Sequence, residues 1–252
     1  MTIDHSGRFS EPVDPPAGHR GRTTAVRVPP AGCAPDRRAR LDTLIRLCDA
    51  ALWELDVPMK PAPGAVWVVR RTTVQLRRWP TSAEVLTVAT WCSALGRVWA
   101  ERRIDLDGGG GSCVRLATLW ASVDLDNGRP TRLAPGLECS DVARRVTVGL
   151  SHAEPPAGSH RRAWPLRRSD IDVLGHVNNS VVWAAWEDSE AAALHRVDDA
   201  GCTLEAEYRA QLYLGPAELT GAPSGDQVWL GAPGERPAAS VRRLPGPPGG
   251  PA

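Results

Sequence analysis

A single lysine, Lys60, occurs in the 252 residues, and the other cationic side chains are arginine. With abundant Ala, Gly and Pro, this looks like GC-rich coding bias, so arginine richness alone names no partner. An excess of one charge is also missing: 30 Lys and Arg face 29 Asp and Glu, for a formal net charge of +1. That balance gives no global argument for nucleic-acid binding. No stretch approaches the roughly 20 apolar residues needed to cross a bilayer. The first residues lack the charged start and apolar run of a secretion signal. A cytoplasmic protein with no membrane role is the expectation. The six cysteines are scattered, with no C-x-x-C pair and no nearby histidine ladder. Structural zinc and a disulfide framework are therefore not expected, and neither is a cofactor.

Aliphatic and tryptophan content suffices for packed cores. The length allows one larger domain or two small ones of about 120 residues each. The order of elements favours two, because one pattern occurs twice. Thr24–Val28 reads as a short strand. Leu41, Leu44, Ile45, Cys48, Leu52 and Leu55 then fall at helical spacing. Strand-like runs follow near 65–77, 84–95, 97–106 and 112–126, with alternation visible in Val85, Thr87, Ala89 and Trp91. The glycine run 108–111 sits between two of these strands. A phosphate cradle would need a helix after it, so a hairpin loop is expected. The second copy shows a strand near 163–167, a turn at 170–175, a helix over about 178–194, and strands at 203–213, 217–222, 226–231 and 238–243. The resulting division is a disordered 1–21, a first domain over 22–126, a linker over 127–160, a second domain over 161–243 and a disordered tail over 244–252. The offset between copies is about 140 residues, and the repeat rests on element order rather than sequence identity.

The chemistry is concentrated in Asp170-Ile-Asp172-Val-Leu174-Gly-His176-Val177-Asn178-Asn179. Two acids, a histidine and two asparagines stand directly before an apolar helix. A buried helix start brings unpaired N–H groups and a positive dipole end into a dry site. Thioester hydrolysis uses such donors to stabilise the oxyanion and a carboxylate to activate water. The thiolate departs without a strong acid, since its conjugate thiol has a pKa of about 8.5. Taken singly, each residue also has a plain structural role: an asparagine as N-cap, an aspartate holding the turn. A cap needs one polar residue, and this segment supplies five.

This string resembles the D-[IL]-D-x-x-x-H-V-N-N signature of acyl-acyl-carrier-protein (acyl-ACP) thioesterases. Ala65-Val-Trp67-Val, Thr90-Trp91 and Arg129-Pro130 extend the resemblance into the first half. The resemblance implies an α+β tandem (double) hot-dog fold, two antiparallel sheets each wrapped around a central helix. It further implies that the first half holds the acyl chain and the second supplies catalysis. Carried over by position, Asp172 acts on the thioester or water, His176 polarises or orients it, and the backbone at Val177, Asn178 and Asn179 faces the carbonyl. In the first copy an approximate register puts Cys33 at Asp172 and Arg37 at His176, so a single site is expected. The family's Y-x-x-E appears as Tyr208-Arg-Ala-Gln211, and an amide cannot take a proton at neutral pH. Gln211 is thus a site residue that positions rather than ionises, and Leu174 replaces an asparagine of the plant members.

The implied partner is an acyl carrier protein bearing a phosphopantetheine thioester, with the activity serving fatty-acid or polyketide chain release; a homodimer is left open. Arginines at 37–40, 70–71, 77–78 and 161–168 are candidate contacts for such an acidic partner. Two alternatives stand beside this reading: an acyl-coenzyme A thioesterase and a non-catalytic acyl-binding protein. Strand tryptophans line a tunnel or simply pack, and His152 and His160 are expected to be solvated.

Overall fold

Each half begins with a short strand, passes through a tight loop into a helix, and then lays down four strands. The first half holds β1 (Arg22–Arg27), α1 (Leu41–Glu54), β2 (Ala65–Leu76), β3 (Val85–Leu95), β4 (Trp99–Gly108) and β5 (Gly111–Asp124). The second holds β6 (His160–Trp164), α2 (Val181–Ser189), β7 (Thr203–Tyr208), β8 (Ala217–Gly221), β9 (Gln227–Gly231) and β10 (Ala239–Leu244). The computed structural model describes residues 22–55, 61–139, 146–189 and 201–244. The expected disordered segment 1–21, residues 245–252 and the last residues of the second helix lie outside the described residues.

The strand order is β1-β3-β4-β5-β2-β7-β10-β9-β8-β6, so the second half repeats the first in mirror order along one ten-stranded sheet. The tandem hot-dog expectation holds, with one addition. The two sheets are joined edge to edge, because β2 and β7 pair antiparallel from Arg71↔Glu207 to Gln75↔Thr203. Pairing these strands removes two exposed edges, each of which would otherwise present unpaired N–H and C=O groups. The glycine run closes a hairpin as expected, with Gly108 paired to Gly111 across the turn.

Both helices lie on one face of the sheet and touch each other. The apolar stripe of α1 buries Leu41, Leu44, Ile45, Cys48 and Ala51, while α2 buries Val181, Val182, Trp183, Ala185 and Trp186. These side chains share one core with Val74, Leu76, Leu204 and Ala206 from the seam strands. Burying a side chain such as Leu or Val contributes about 1.5–3 kcal/mol each, so the helices are held mainly by this common core.

Several expected boundaries differ: the strand expected near 163–167 spans His160–Trp164, and the one expected over Thr24–Val28 spans Arg22–Arg27. The strand expected over 203–213 stops at Tyr208 because Arg209 and Ala210 both donate to the Ala238 carbonyl, which breaks the ladder. The helix expected from 178 begins at Val181, since the Asn178 side chain accepts the Ser180 N–H at 2.9 Å and holds a turn instead.

The connector crosses the opposite face of the sheet at the seam. Leu204, Ala206 and Tyr208 face the helices, which turns Glu205 and Glu207 to the outer face, where both are fully buried. Glu207 accepts the Ser151 N–H at 2.6 Å and the His152 N–H at 2.9 Å. His152 is therefore not solvated: it is 3% exposed, with Nε2 3.3 Å from Glu205 and Nδ1 2.7 Å from Ser240. Its burial follows from the two acids beneath it, which no local reading of the connector reveals. His160 is exposed as expected.

Candidate active site

The motif forms a compact loop between β6 and α2. A 3-10 turn at Arg168–Asp170 leads in, with the Asp170 carboxylate accepting the Arg167 N–H at 2.8 Å. Ile171 and Val177 then bridge, closing a turn in which the Asp172 N–H donates to the His176 carbonyl at 2.8 Å. Gly175 sits at φ +80°, a left-handed conformation that glycine takes without a Cβ clash.

Within this loop the two asparagines and Val177 have different duties. The Val177 N–H donates to the Leu212 carbonyl at 2.7 Å and the Asn178 N–H to the Asp170 carbonyl at 2.8 Å. Those two amides are engaged within the fold, contrary to the expectation that they face a substrate carbonyl. The Asn179 amide makes no hydrogen bond among the described residues. Its carbonyl accepts the Tyr208 hydroxyl at 3.2 Å, and Tyr208 is held in turn by the Trp183 indole at 2.9 Å.

Asp172 Oδ1 accepts the Leu174 N–H at 2.8 Å and the His176 N–H at 3.3 Å. One of its oxygens therefore holds the turn. The His176 ring stands edge-on to Tyr213 with centroids 5.1 Å apart, and the Tyr213 hydroxyl donates to Gln211 Oε1 at 2.8 Å. His176, Tyr213 and Gln211 thus form one patch beside the loop. Tyr213 went unnoticed in the sequence because nothing local links it to the histidine. No hydrogen bond joins the side chains of Asp172, His176 and Gln211 directly, among the described residues.

A small cavity of about 20 Å³ lies between α1, the sheet and this loop. Ile45, Leu52, Val69, Leu116 and Trp120 make its apolar wall, and Asn179 and Tyr208 form the end nearest the motif. It also carries Asp49, which the sequence reading passed over although it sits beside the apolar stripe. Burial pushes the Asp49 carboxyl up to about 6, with Arg46 opposing and Asp172 adding to the rise. Part of its surface still opens onto the cavity.

The first half repeats the loop without these side chains. Cys33 and Ala39 bridge as Ile171 and Val177 do, and the Ala34 N–H donates to Arg38 at 2.8 Å. The matching residues are therefore Ala34 for Asp172 and Arg38 for His176, one position later than the sequence register of Cys33 and Arg37. Arg37 corresponds instead to Gly175, and holds φ +72° without being glycine. The Ala39 N–H meets Pro80 as Val177 meets Leu212, which puts Trp79 in the place of Gln211.

His152, Glu205 and Glu207 bring three ligand-type atoms within 4.8 Å of one another. Their chemistry suits a charge network better than a metal. Arg71 and Arg242 pair with Glu205, and Arg209 with Glu207, so three cations already crowd the acids. Burial alone would raise the Glu205 carboxyl; the His152 hydrogen bond and the charges of Arg71 and Arg242 outweigh it and bring it down to about 2.

Residues 59–138 match the acyl-ACP thioesterase N-terminal domain. Over that stretch the chain is similar to the acyl-ACP thioesterase family. It is 30% identical over 157 residues to an uncharacterized protein of Mycobacterium tuberculosis, covering 58% of this chain and 57% of that one. It is 26% identical over 137 residues to a chloroplastic oleoyl-acyl carrier protein thioesterase of Coriandrum sativum, covering 48% of this chain and 37% of that protein. The matches thus span little more than half the length of these curated relatives at most. The fold is that of the 12:0-ACP thioesterase from Umbellularia californica, with a TM-score of 0.70 at 17% identity over 90% of this chain and 95% of that one. No helix among the described residues is long and apolar enough to cross a membrane.

Proposed function

We propose that the protein is a thioesterase that hydrolyses acyl-ACP to a free carboxylic acid and a carrier-protein thiol. One observation carries this reading: Asn179 belongs both to the loop bearing Asp172 and His176 and to the wall of the cavity lined by the first half. An acyl chain that widens this cavity, about 20 Å³ in the structure, brings its thioester carbonyl to the Asn179 amide. Asp172, through the oxygen that does not hold the turn, and Gln211 position the attacking water. His176, backed by Tyr213, orients the thioester. An acyl chain released in this way suits fatty-acid or polyketide biosynthesis in the cytoplasm.

An acidic carrier protein is matched by the exposed arginines Arg161, Arg162, Arg167 and Arg168 on the β6 side of the loop. Two of the other arginine clusters have structural work instead. Arg71 is 5% exposed and pairs with Glu205, and Arg78 forks onto Glu84.

The test is release of free thiol from a panel of acyl-ACP and acyl-coenzyme A thioesters. The expected result is turnover, faster with the carrier protein than with coenzyme A. Asp172→Asn and His176→Ala are each expected to lower kcat by about 10²–10³-fold, the usual cost of losing one preorganised catalytic group, with unchanged thermal unfolding. Absence of hydrolysis across the whole panel, with acyl chains still bound, would make this a binding protein.

A further inference from the structure

We propose that Asp49, on α1 of the first half, is a catalytic base of the second half's site, facing the Asn179 amide across the cavity. This rests on the thioesterase reading and supplies what that reading lacks, a carboxylate free to accept a proton. Gln211 cannot accept one at neutral pH, and Asp172 already has an oxygen on two backbone amides.

The geometry comes first. Asp49, Asn179 and Tyr208 line one cavity, and Asp49 makes no hydrogen bond among the described residues. The charged and titratable groups around it are Arg46 and Cys48 on its own helix, Asp172 on the motif loop and Tyr208 on β7. A buried carboxylate with no hydrogen-bond donor costs free energy, and such groups concentrate at sites of function.

The first half supplies an independent view of the same arrangement. The residue offset that carries Ala34 onto Asp172 carries Leu41 onto Asn179 and Asp49 onto Glu187. It also carries Leu44, Ile45 and Cys48 onto the equally buried Val182, Trp183 and Trp186. Glu187 accepts the Leu41 amide. A helix acid from one half therefore reaches the amide at the helix start of the other. In the motif-bearing half the acid is an aspartate, shorter by one methylene, and the facing Asn179 amide is unpaired.

The step balances without a further reactant. Asp49 takes a proton from water as its oxygen bonds to the thioester carbon, and the carbonyl electrons move onto the oxygen held by Asn179 N–H. The intermediate collapses, the C–S bond breaks with its electrons going to sulfur, and Asp49 returns the proton to the thiolate. The products are the carboxylic acid and the free thiol.

Asp49→Asn in the full chain is the deciding variant, assayed on the acyl-ACP that wild type turns over fastest. A loss in kcat of about 10²-fold or more is expected, as for removal of a general base, with KM little changed and Asp49→Glu partly active. The wild-type rate should fall as pH drops through about 6, where Asp49 protonates, and that limb should be absent from the residual activity of Asp49→Asn. Asp49→Ser is assayed alongside, so a folding failure of one variant leaves the other to decide. Active wild type with both neutral variants within threefold of it overturns the role of Asp49 alone. A wild type inactive on every thioester overturns the thioesterase reading and this role together.

Discussion

In the first half the Ala34 N–H meets the Arg38 carbonyl at 2.8 Å, and in the second the Asp172 N–H meets the His176 carbonyl at the same distance. The Arg40 amide reaches Gly32 at 2.9 Å as the Asn178 amide reaches Asp170 at 2.8 Å. Backbone and hydrogen bonds repeat; side chains do not. Where one half has Ala34, Arg38 and Trp79, the other has Asp172, His176 and Gln211. Arg38 lies over the Trp79 ring at 5.1 Å, a stacked cation that closes the position where His176 meets Tyr213. The fold thus builds two equivalent loops, and the aspartate, histidine and glutamine stand on one. This is the separation expected when a site is grafted onto a scaffold that is stable without it.

The halves also differ on the outer face of the seam, where only β7 contributes buried acids. Thr73 of β2 faces Glu205 of β7 and donates to it at 3.3 Å. Glu205→Ala is expected to have the largest effect on stability, about 3–5 kcal/mol, because it leaves Arg71 and Arg242 without a buried counter-charge. Denaturant unfolding checks this, and a change under 1 kcal/mol would show that the seam does not depend on the network. The contribution has a defined pH range. Because the folded carboxyl is held down near 2, its stabilisation is complete above the unfolded value of about 4.3 and is lost as pH falls towards 2.

The other two tests act on the loops themselves. Gln211→Glu restores an acid beside Tyr213. If Asp49 already carries the proton chemistry, kcat should change by less than about tenfold, well below the 10²–10⁴ of a newly gained base. A rise of a hundredfold or more would move the base to residue 211. Arg38→Ala is expected to matter least. Activity should be unchanged, and stability should fall by about 1 kcal/mol, the worth of a partly exposed cation–π contact and the ion pair with Asp36. A loss of turnover comparable to His176→Ala would show that the two loops are not functionally distinct.

Much of this was readable from residues alone. Period-2 and period-3.6 patterns showed each strand and both helices, with β6 expected three residues too late, because burial on one face selects those periods directly. Their ends were less legible. Tyr208 ends its strand because of the Ala238 carbonyl, and α2 starts late because Asn178 prefers its own local bond. The motif was visible because its functional groups are neighbours in sequence. The one-residue error in the first-half register arose because a loop without chemistry offers no residue to align on.

The sequence by itself determined the two-copy order, the location of the polar loop before α2 and the replacement of an acid by Gln211. Those depend on neighbours and spacing, which the chain carries locally. Only the tertiary structure decided which amide of the loop is unengaged, that His152 is buried over two acids, and that Asp49 lines a cavity with Asn179 of the other half. Each of these depends on a partner distant in the chain, brought near by the pairing of β2 with β7 and the packing of both helices on one face. Burial and electrostatic environment are properties of that arrangement, so they appear only once the two halves are joined.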